Sequence, residues 1–263
     1  MKILLSNDDG IYADGINELY NTFHAKHDVK MMAPHEERST TGHALSLATP
    51  LRVKNLSDNR FSCTGYPADC VLLALGHLYS KENQPDLVIS GINHGANLGQ
   101  DLYYSGTIAA AREASFHGIK SIATSLVLNN YLPPQFKATA KIVEFFVAEK
   151  IYDLIPEYCL LNLNFPNIET KEIKGIQFTR IGTQKYSDDV MERSDFRGNN
   201  YYWVGGHYGG FVDEAGTDCV AIKEGYIAVT LHNLLYRNVE SAEAKLAKAV
   251  SLLNEKFVND FKK

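Results

Sequence analysis

Residues 2–34 read KILLSNDDGIYADGINELYNTFHAKHDVKMMAP. The opening KILLS is a short apolar run, the pattern of a strand buried on both faces. Asp14 stands where it can cap a helix, and Ile16, Leu19, Tyr20 and Phe23 then recur at helical spacing. VKMMAP supplies a second strand, closed by Pro34. A strand, a helix and a strand in so short a stretch form a βαβ opening, and it points to an α/β fold built on a doubly wound, mostly parallel sheet.

The same alternation continues outward from this unit. A loop and a strand pair are expected to run as far as Val53, after which Pro67 and Asp69 lead into the apolar helix CVLLALGHLY. DLVIS returns as a strand. TIAAAREASF (107–116) is a helix of good formers stopped by Gly118, and KSIATS is the next strand. An amphipathic helix is predicted from Pro133, then the strand CLLNLNFP. Beyond Lys171 the texture changes to short β-rich pieces, GIQFTRIG, NYYWVGG and GYIAVTLH, set between glycine-containing turns. The expected division is a Rossmann-like core over residues 1–170 and, over 171–263, a β-rich arm and terminal helix that serve oligomerisation and complete the core. That helix, about Ser241 to Phe261, puts Leu246, Val250, Leu253, Phe257 and Phe261 on one stripe that must pack on something.

With 263 residues, 45% of them hydrophobic and 22% charged, the chain has the balance of an ordinary globular protein and needs no disulfide to fold. A formal net charge of -5 speaks against a nucleic-acid polymer as main partner, since such binding neutralises phosphates with clustered Lys and Arg. No apolar run reaches the ~20 residues of a membrane span, and MKILLSNDDG lacks the features of a signal peptide, so a cytoplasmic protein without a membrane partner is expected. Cys63, Cys70, Cys159 and Cys219 form no CxxC pair and are expected as buried free thiols.

In an open parallel sheet, ligands bind in the loops at the carboxyl ends of the strands, where strand order reverses. The first strand leads there into Asn7-Asp8-Asp9-Gly10, the second into Arg38-Ser39-Thr40, and DLVIS into Gly91-Ile92-Asn93-His94. Each residue alone is an ordinary turn former. Together they bring two adjacent carboxylates to one place, and such a pair raises its own proton affinity unless a cation lies between. Asp8, Asp9, the Ser39 hydroxyl and the Asn93 amide oxygen are hard donors, suited to one divalent cation such as Mg²⁺ or Mn²⁺. A cation with open positions favours phosphate-ester hydrolysis, with Asp8 and Asp9 catalytic. Tyr104-Ser105-Gly106-Thr107 then opens a helix whose first N–H groups favour an anion, with Gly106 permitting close approach.

Among the nine histidines none has HExxH spacing, and only His94 falls in this site, as a loop residue first and an auxiliary acid second. Tyr201, Tyr202 and Trp203 alternate in a short strand and are read as packing.

The order NDDG, ERS, TGYPADCV, SGINHGANLG, YSGT, GTD and EGYIAVT resembles the SurE (survival protein E) family along the whole length. The resemblance implies a Rossmann-like core with swapped C-terminal arms, a homodimer or homotetramer, and divalent-metal-dependent hydrolysis of nucleoside 5′- or 3′-monophosphates, with short polyphosphate as a further substrate of some members. It assigns the metal ligands to Asp8, Asp9, Ser39 and Asn93, and the phosphate site to Asn97, Ser105, Gly106 and Thr107. Thr40 stands where the family usually has glycine or alanine, Tyr66 where it has a small threonine, and LHNLLYRN lacks its proline and aspartate.

Rival readings lack their marks. A nicotinamide dehydrogenase wants GxGxxG after the first strand, and no two glycines here are separated by a single residue. A receiver-type module needs a phosphorylatable aspartate where Asn93 stands, and a haloacid-dehalogenase-like phosphatase needs acids two apart. A binding protein that holds metal and nucleotide without turnover has the same residue types, and only turnover separates the two.

Overall fold

In the computed structural model, which describes residues 1–129, 131–187 and 189–262, the opening unit forms as read. Strand β1 (Lys2–Ser6), helix α1 (Asp14–Phe23) and strand β2 (Asp28–Pro34) pair in parallel, Ile3 opposite Val29. Asp14 is the first residue of α1 rather than its cap: Ala13 holds that position, with no side chain capping the helix. Residues 35–52 contain no strand, and the expected strand pair begins at Val53 instead of ending there, as β3 (Val53–Ser57) and β4 (Arg60–Cys63). Polar and turn-forming residues crowd 35–50, which is why the chain runs there as a loop.

Helix α2 (Pro67–Leu73) continues through a wider turn to Leu78, and β5 (Leu87–His94), α3 (Gly106–Phe116), β6 (Lys120–Val127), α4 (Phe136–Ala148) and β7 (Cys159–Pro166) follow. Then come β8 (Gly175–Thr179), β9 (Gln184–Tyr186), β10 (Val190–Ser194), β11 (Asn200–Val204), β12 (Tyr208–Phe211), α5 (Asp218–Lys223), β13 (Tyr226–Asn233) and α6 (Glu240–Phe261).

The main sheet has nine strands in the order β3-β4-β2-β1-β5-β6-β7-β13-β8. The chain leaves β1 toward β2 and β4 on one side, then crosses to β5 and β6 on the other. Strand order therefore reverses between β1 and β5, which run parallel with Ser6 opposite Ser90. Within this sheet, among the described residues, only the pairs β3/β4 and β7/β13 are antiparallel.

Alternate residues of the central strands serve opposite faces. Ile3, Leu5, Met31 and Ile89 meet α1, α4 and α6 on one side, while Leu4, Met32 and Val88 meet α2 and α3 on the other. Both faces are dry, so the strands read as continuous apolar runs. Gly15 lets α1 lie against the end of β5, since a Cβ there would fall 1.9 Å from the Ile92 carbonyl oxygen.

The C-terminal pieces divide between two roles. Strands β8 and β13 extend the main sheet, and α6 covers them, burying Leu246, Val250, Leu253 and Phe257 while Phe261 stacks on Phe257. The stripe on α6 is thus satisfied within the chain. Strands β9 and β12 pair with each other, as do β10 and β11, on an excursion between β8 and α5. Its base is tied where Arg180 N–H donates to Gly216 O and Asp218 N–H to Arg180 O, each at 2.9 Å. Every residue of β10 and β11 is exposed, Trp203 and Val204 at 66% and 86%, so these side chains do not pack within the chain as expected.

Among the described residues, no helix is long and apolar enough to cross a membrane. All four cysteines are buried and free, as expected.

Candidate active site

The loop leaving β1 is closed by Asn7, whose amide nitrogen donates to Gly10 O at 2.9 Å while its oxygen accepts from Gly10 N–H at 3.2 Å. That turn aims Asp8 inward beside the start of α3 and Asp9 toward the end of β5. Asp8 is 3% exposed, and burial pushes its carboxyl up to about 6, with the hydrogen bond from Thr107 working against the rise and the charge of Asp9 adding to it. Burial also raises Asp9, although the His94 backbone N–H donates to its Oδ2 at 3.0 Å. Two half-compensated carboxylates share a dry strand edge, an arrangement that favours a cation.

Asn93, one residue before the end of β5, has its amide orientation set, because its nitrogen donates to Gly95 O at 3.0 Å. The amide oxygen then faces the Thr107 hydroxyl at 3.2 Å, and that same hydroxyl donates to Asp8 Oδ1. Thr107 is fully buried, so in this structure its side chain orients Asp8 and Asn93.

Ser39 lies on the loop after β2, its hydroxyl donating to Glu37 at 2.7 Å, and it lines the cavity together with Asp8 and Asn93. The loop is pinned at several points: Arg38 N–H donates to Asp8 O at 2.7 Å, Gly42 N–H to Tyr104 O at 2.9 Å, and Ser46 N–H to the Asp69 carboxylate at 3.0 Å. His43 adds a contact to the buried Glu113 of α3 at 2.8 Å.

Of the residues assigned to a phosphate, Asn97 and Ser105 line this cavity of about 460 Å³, and Gly106 and Thr107 do not. Ser105 caps α3 by accepting from Ile108 N–H at 3.1 Å, which leaves its own proton to donate. Asn97 is clamped on several sides: its backbone meets Asn162 and Asn164, and its amide nitrogen donates to Ser125 at 2.8 Å, leaving one N–H free. The bare face of Gly106 lies against Asp8, whose Cβ would be 2.7 Å from an added methyl. The glycine admits a carboxylate where the sequence reading had it admit a phosphate.

His94 is exposed, and its ring tilts against Phe136 at 6.1 Å. Tyr201, Tyr202 and Trp203 lie outside the cavity. Two polar lining residues were not read from the sequence: Asp101 and, from the distant excursion, Tyr186. The GTD motif also acquires a role, since buried Asp218 accepts from the N–H groups of Gly99, Gly182 and Cys219 at 2.8–3.0 Å and ties the Asn97 loop to the excursion.

A larger cavity of about 790 Å³ opens between α1, α4 and the end of α6. Met1 lines it, so it sits at the sheet edge opposite Asp8, with Lys26 and Glu144 paired across its rim. The smaller cavity carries the convergent polar groups and lies at the reversal of strand order, which makes it the candidate site.

Comparison with known proteins agrees with this placement of the fold. A family model described as Survival protein SurE matches residues 3–188. The 5′-nucleotidase SurE of Trichodesmium erythraeum is 42% identical over 254 residues, covering 90% of this chain and 93% of that protein. That of Syntrophotalea carbinolica is 41% identical over 243 residues, covering 92% and 95%. The crystal structure of the SurE protein from Aquifex aeolicus superposes with a TM-score of 0.79 at 36% identity, covering 96% of this chain and 99% of that one. A match of that extent in sequence and in fold places this chain in the SurE family.

Proposed function

We propose that the chain is a divalent-metal-dependent 5′-nucleotidase that releases phosphate from nucleoside 5′- or 3′-monophosphates. The observation that carries this reading is the convergence of Asp8, Ser39 and the oriented Asn93 oxygen on a cavity that Ser105 and Asn97 also line, with Asp9 held beside it by the His94 N–H. The donor set fits Mg²⁺ or Mn²⁺: all-oxygen, doubly anionic, and held together by hydrogen bonds that leave the oxygens facing inward. Asp8, Asp9, Ser39 and Asn93 would hold one such cation, which when bound supplies a polarised phosphoryl oxygen and an acidified water.

The chain's own groups do the positioning. The Ser105 hydroxyl and the free N–H of Asn97 donate to non-bridging phosphate oxygens, and Thr107 keeps Asp8 turned toward the cavity. Phosphate release from nucleoside monophosphates is expected with Mn²⁺ or Mg²⁺ and is expected to stop with chelator. Full turnover in chelator would overturn the reading.

The exposed hairpin β10–β11 supports a homodimer or homotetramer, because Phe196 at 92%, Trp203 at 66% and Val204 at 86% leave an apolar arm in water. Light scattering at micromolar concentration is expected to give a dimer or tetramer, and Phe196→Lys with Trp203→Lys to give monomer. Four buried free thiols support a reducing, cytoplasmic setting.

A further inference from the structure

The cavity that holds Asp8 does not end at Asp101. A second cavity of about 390 Å³ adjoins it, and both are lined by Ala96, Asp101 and Tyr186. The walls of the second are largely apolar: Leu98, Val127, Phe211, Ile222 and the ring of Tyr208. Asp101 therefore stands at a waist between a polar chamber and an aromatic one.

Its carboxylate is held there from one side. Oδ2 accepts from the Tyr186 hydroxyl and from the Gln184 amide nitrogen, and Oδ1 has no hydrogen-bond partner among the described residues. The turn that carries Asp101 is locked to β9, since the Gln100 side chain exchanges hydrogen bonds with the backbone of Gln184 at 2.7 and 2.8 Å. A carboxylate fixed through one oxygen presents the other as an acceptor, so the waist takes a hydroxyl and repels a phosphate. In the second chamber the rings of Tyr186 and Tyr208 pack on each other at 5.8 Å and 58°, and with Phe211 they offer an aromatic wall to a flat heterocycle.

Phosphate, hydroxyl-bearing sugar and aromatic base follow one another in a nucleotide in that order. We infer that Asp101 is a specificity residue that accepts a hydrogen bond from a sugar hydroxyl while the base lodges against Tyr208 and Phe211, so that the two adjoining cavities together take one nucleoside monophosphate. This rests on the phosphatase reading above and adds to it the side of the site that distinguishes a nucleotide from any other phosphate ester. The residues involved come from the base of the excursion, whereas Tyr201, Tyr202 and Trp203 at its tip take no part.

The test compares adenosine 5′-monophosphate with p-nitrophenyl phosphate, which has an aryl ring but no sugar, in the metal-loaded full chain. Asp101→Asn keeps the shape and an oxygen for Tyr186 while removing the charge. The ratio of kcat/KM for the nucleotide over that for the aryl ester is expected to fall about 10- to 100-fold, the worth of a hydrogen bond to a charged group. Tyr208→Ala, at an exposed ring that the fold does not need, is expected to raise KM for the nucleotide about tenfold with kcat little changed. If both ratios stay at the wild-type value, or if Asp101→Asn loses both substrates in proportion, Asp101 reads nothing beyond the phosphate and the inference is overturned while the phosphatase stands. A wild-type protein that cleaves p-nitrophenyl phosphate and no nucleotide would instead remove the nucleotidase reading and the inference with it.

Discussion

Asp8→Asn should stabilise the cation-free protein at pH 7 and at the same time abolish its response to Mn²⁺. The folded chain holds the Asp8 carboxyl at about 6, against an ordinary value of 3.8. At pH values below 3.8 the group is protonated whether the chain is folded or not, and its burial carries no charge penalty. As pH rises past 6 the unfolded chain ionises it freely while the folded chain must bury the charge, so stability falls by about 3 kcal/mol across that window. An amide at this position is never charged and still accepts from Thr107. In chelator, the variant should therefore exceed wild type by about 3 kcal/mol at pH 7 and by only about 1 kcal/mol at pH 4.5. Urea unfolding at the two pH values measures this. Mn²⁺ should raise the melting temperature of wild type alone, and turnover in the variant should drop on the order of 100-fold or more. A variant less stable than wild type at pH 7 would mean that Asp8 is not the strained group.

Gly106→Ala should cost more than its size suggests. The new methyl would lie 2.7 Å from the Asp8 Cβ and 3.0 Å from Asp8 Oδ2 and the Pro67 ring, none of them a flexible end that can swing away. Either α3 recedes or Asp8 is displaced, and a shift near 1 Å in a catalytic group is worth about 100-fold in rate. Mn²⁺ affinity should fall with it, and stability by about 1–3 kcal/mol from overpacking. The sequence alone placed the phosphate on that glycine, and on that reading substitution spares the cation and weakens only the anion. Calorimetry of Mn²⁺ and of phosphate decides between the two, with Ser105→Ala as the contrast: it removes a helix cap worth about 1 kcal/mol and a phosphate donor but leaves Asp8 in place. Mn²⁺ binding to the Gly106→Ala protein as tight as to wild type would restore the earlier reading.

Much of the fold was legible because its strands are buried on both faces and carry unbroken apolar runs, as in KILLS and CLLNLNFP. The three loops of the candidate site were legible for a topological reason, since β1 and β5 flank the reversal of strand order and their loops must meet. Local rules failed where tertiary contacts decide. Asp14 had the right chemistry for a cap but stands one residue inside the helix. The stripe on α6 was recognisable, yet nothing in its period said whether the chain itself would cover it. Asp101 and Tyr186 stayed invisible because they meet across 85 positions of sequence. Thr107 and Gly106 were found, but their contact with Asp8 was not, because spacing places a helix start near a carboxylate without saying which way each face looks.

The closed base at Arg180 and Gly216 makes the excursion a detachable piece of design. Its two ends leave and re-enter the fold side by side, so length can be added to or taken from the tip without stretching β8, α5 or the sheet. On the proposals above, the tip would answer to a second copy, the β9–β12 pair to the shape of the substrate's far end, and the strand-edge loops to the bond that is cut. On the proposed reading, assembly, substrate choice and bond cleavage would be set on three successive tiers of the molecule, and the outermost could change in length while the strand-edge loops stay as they are.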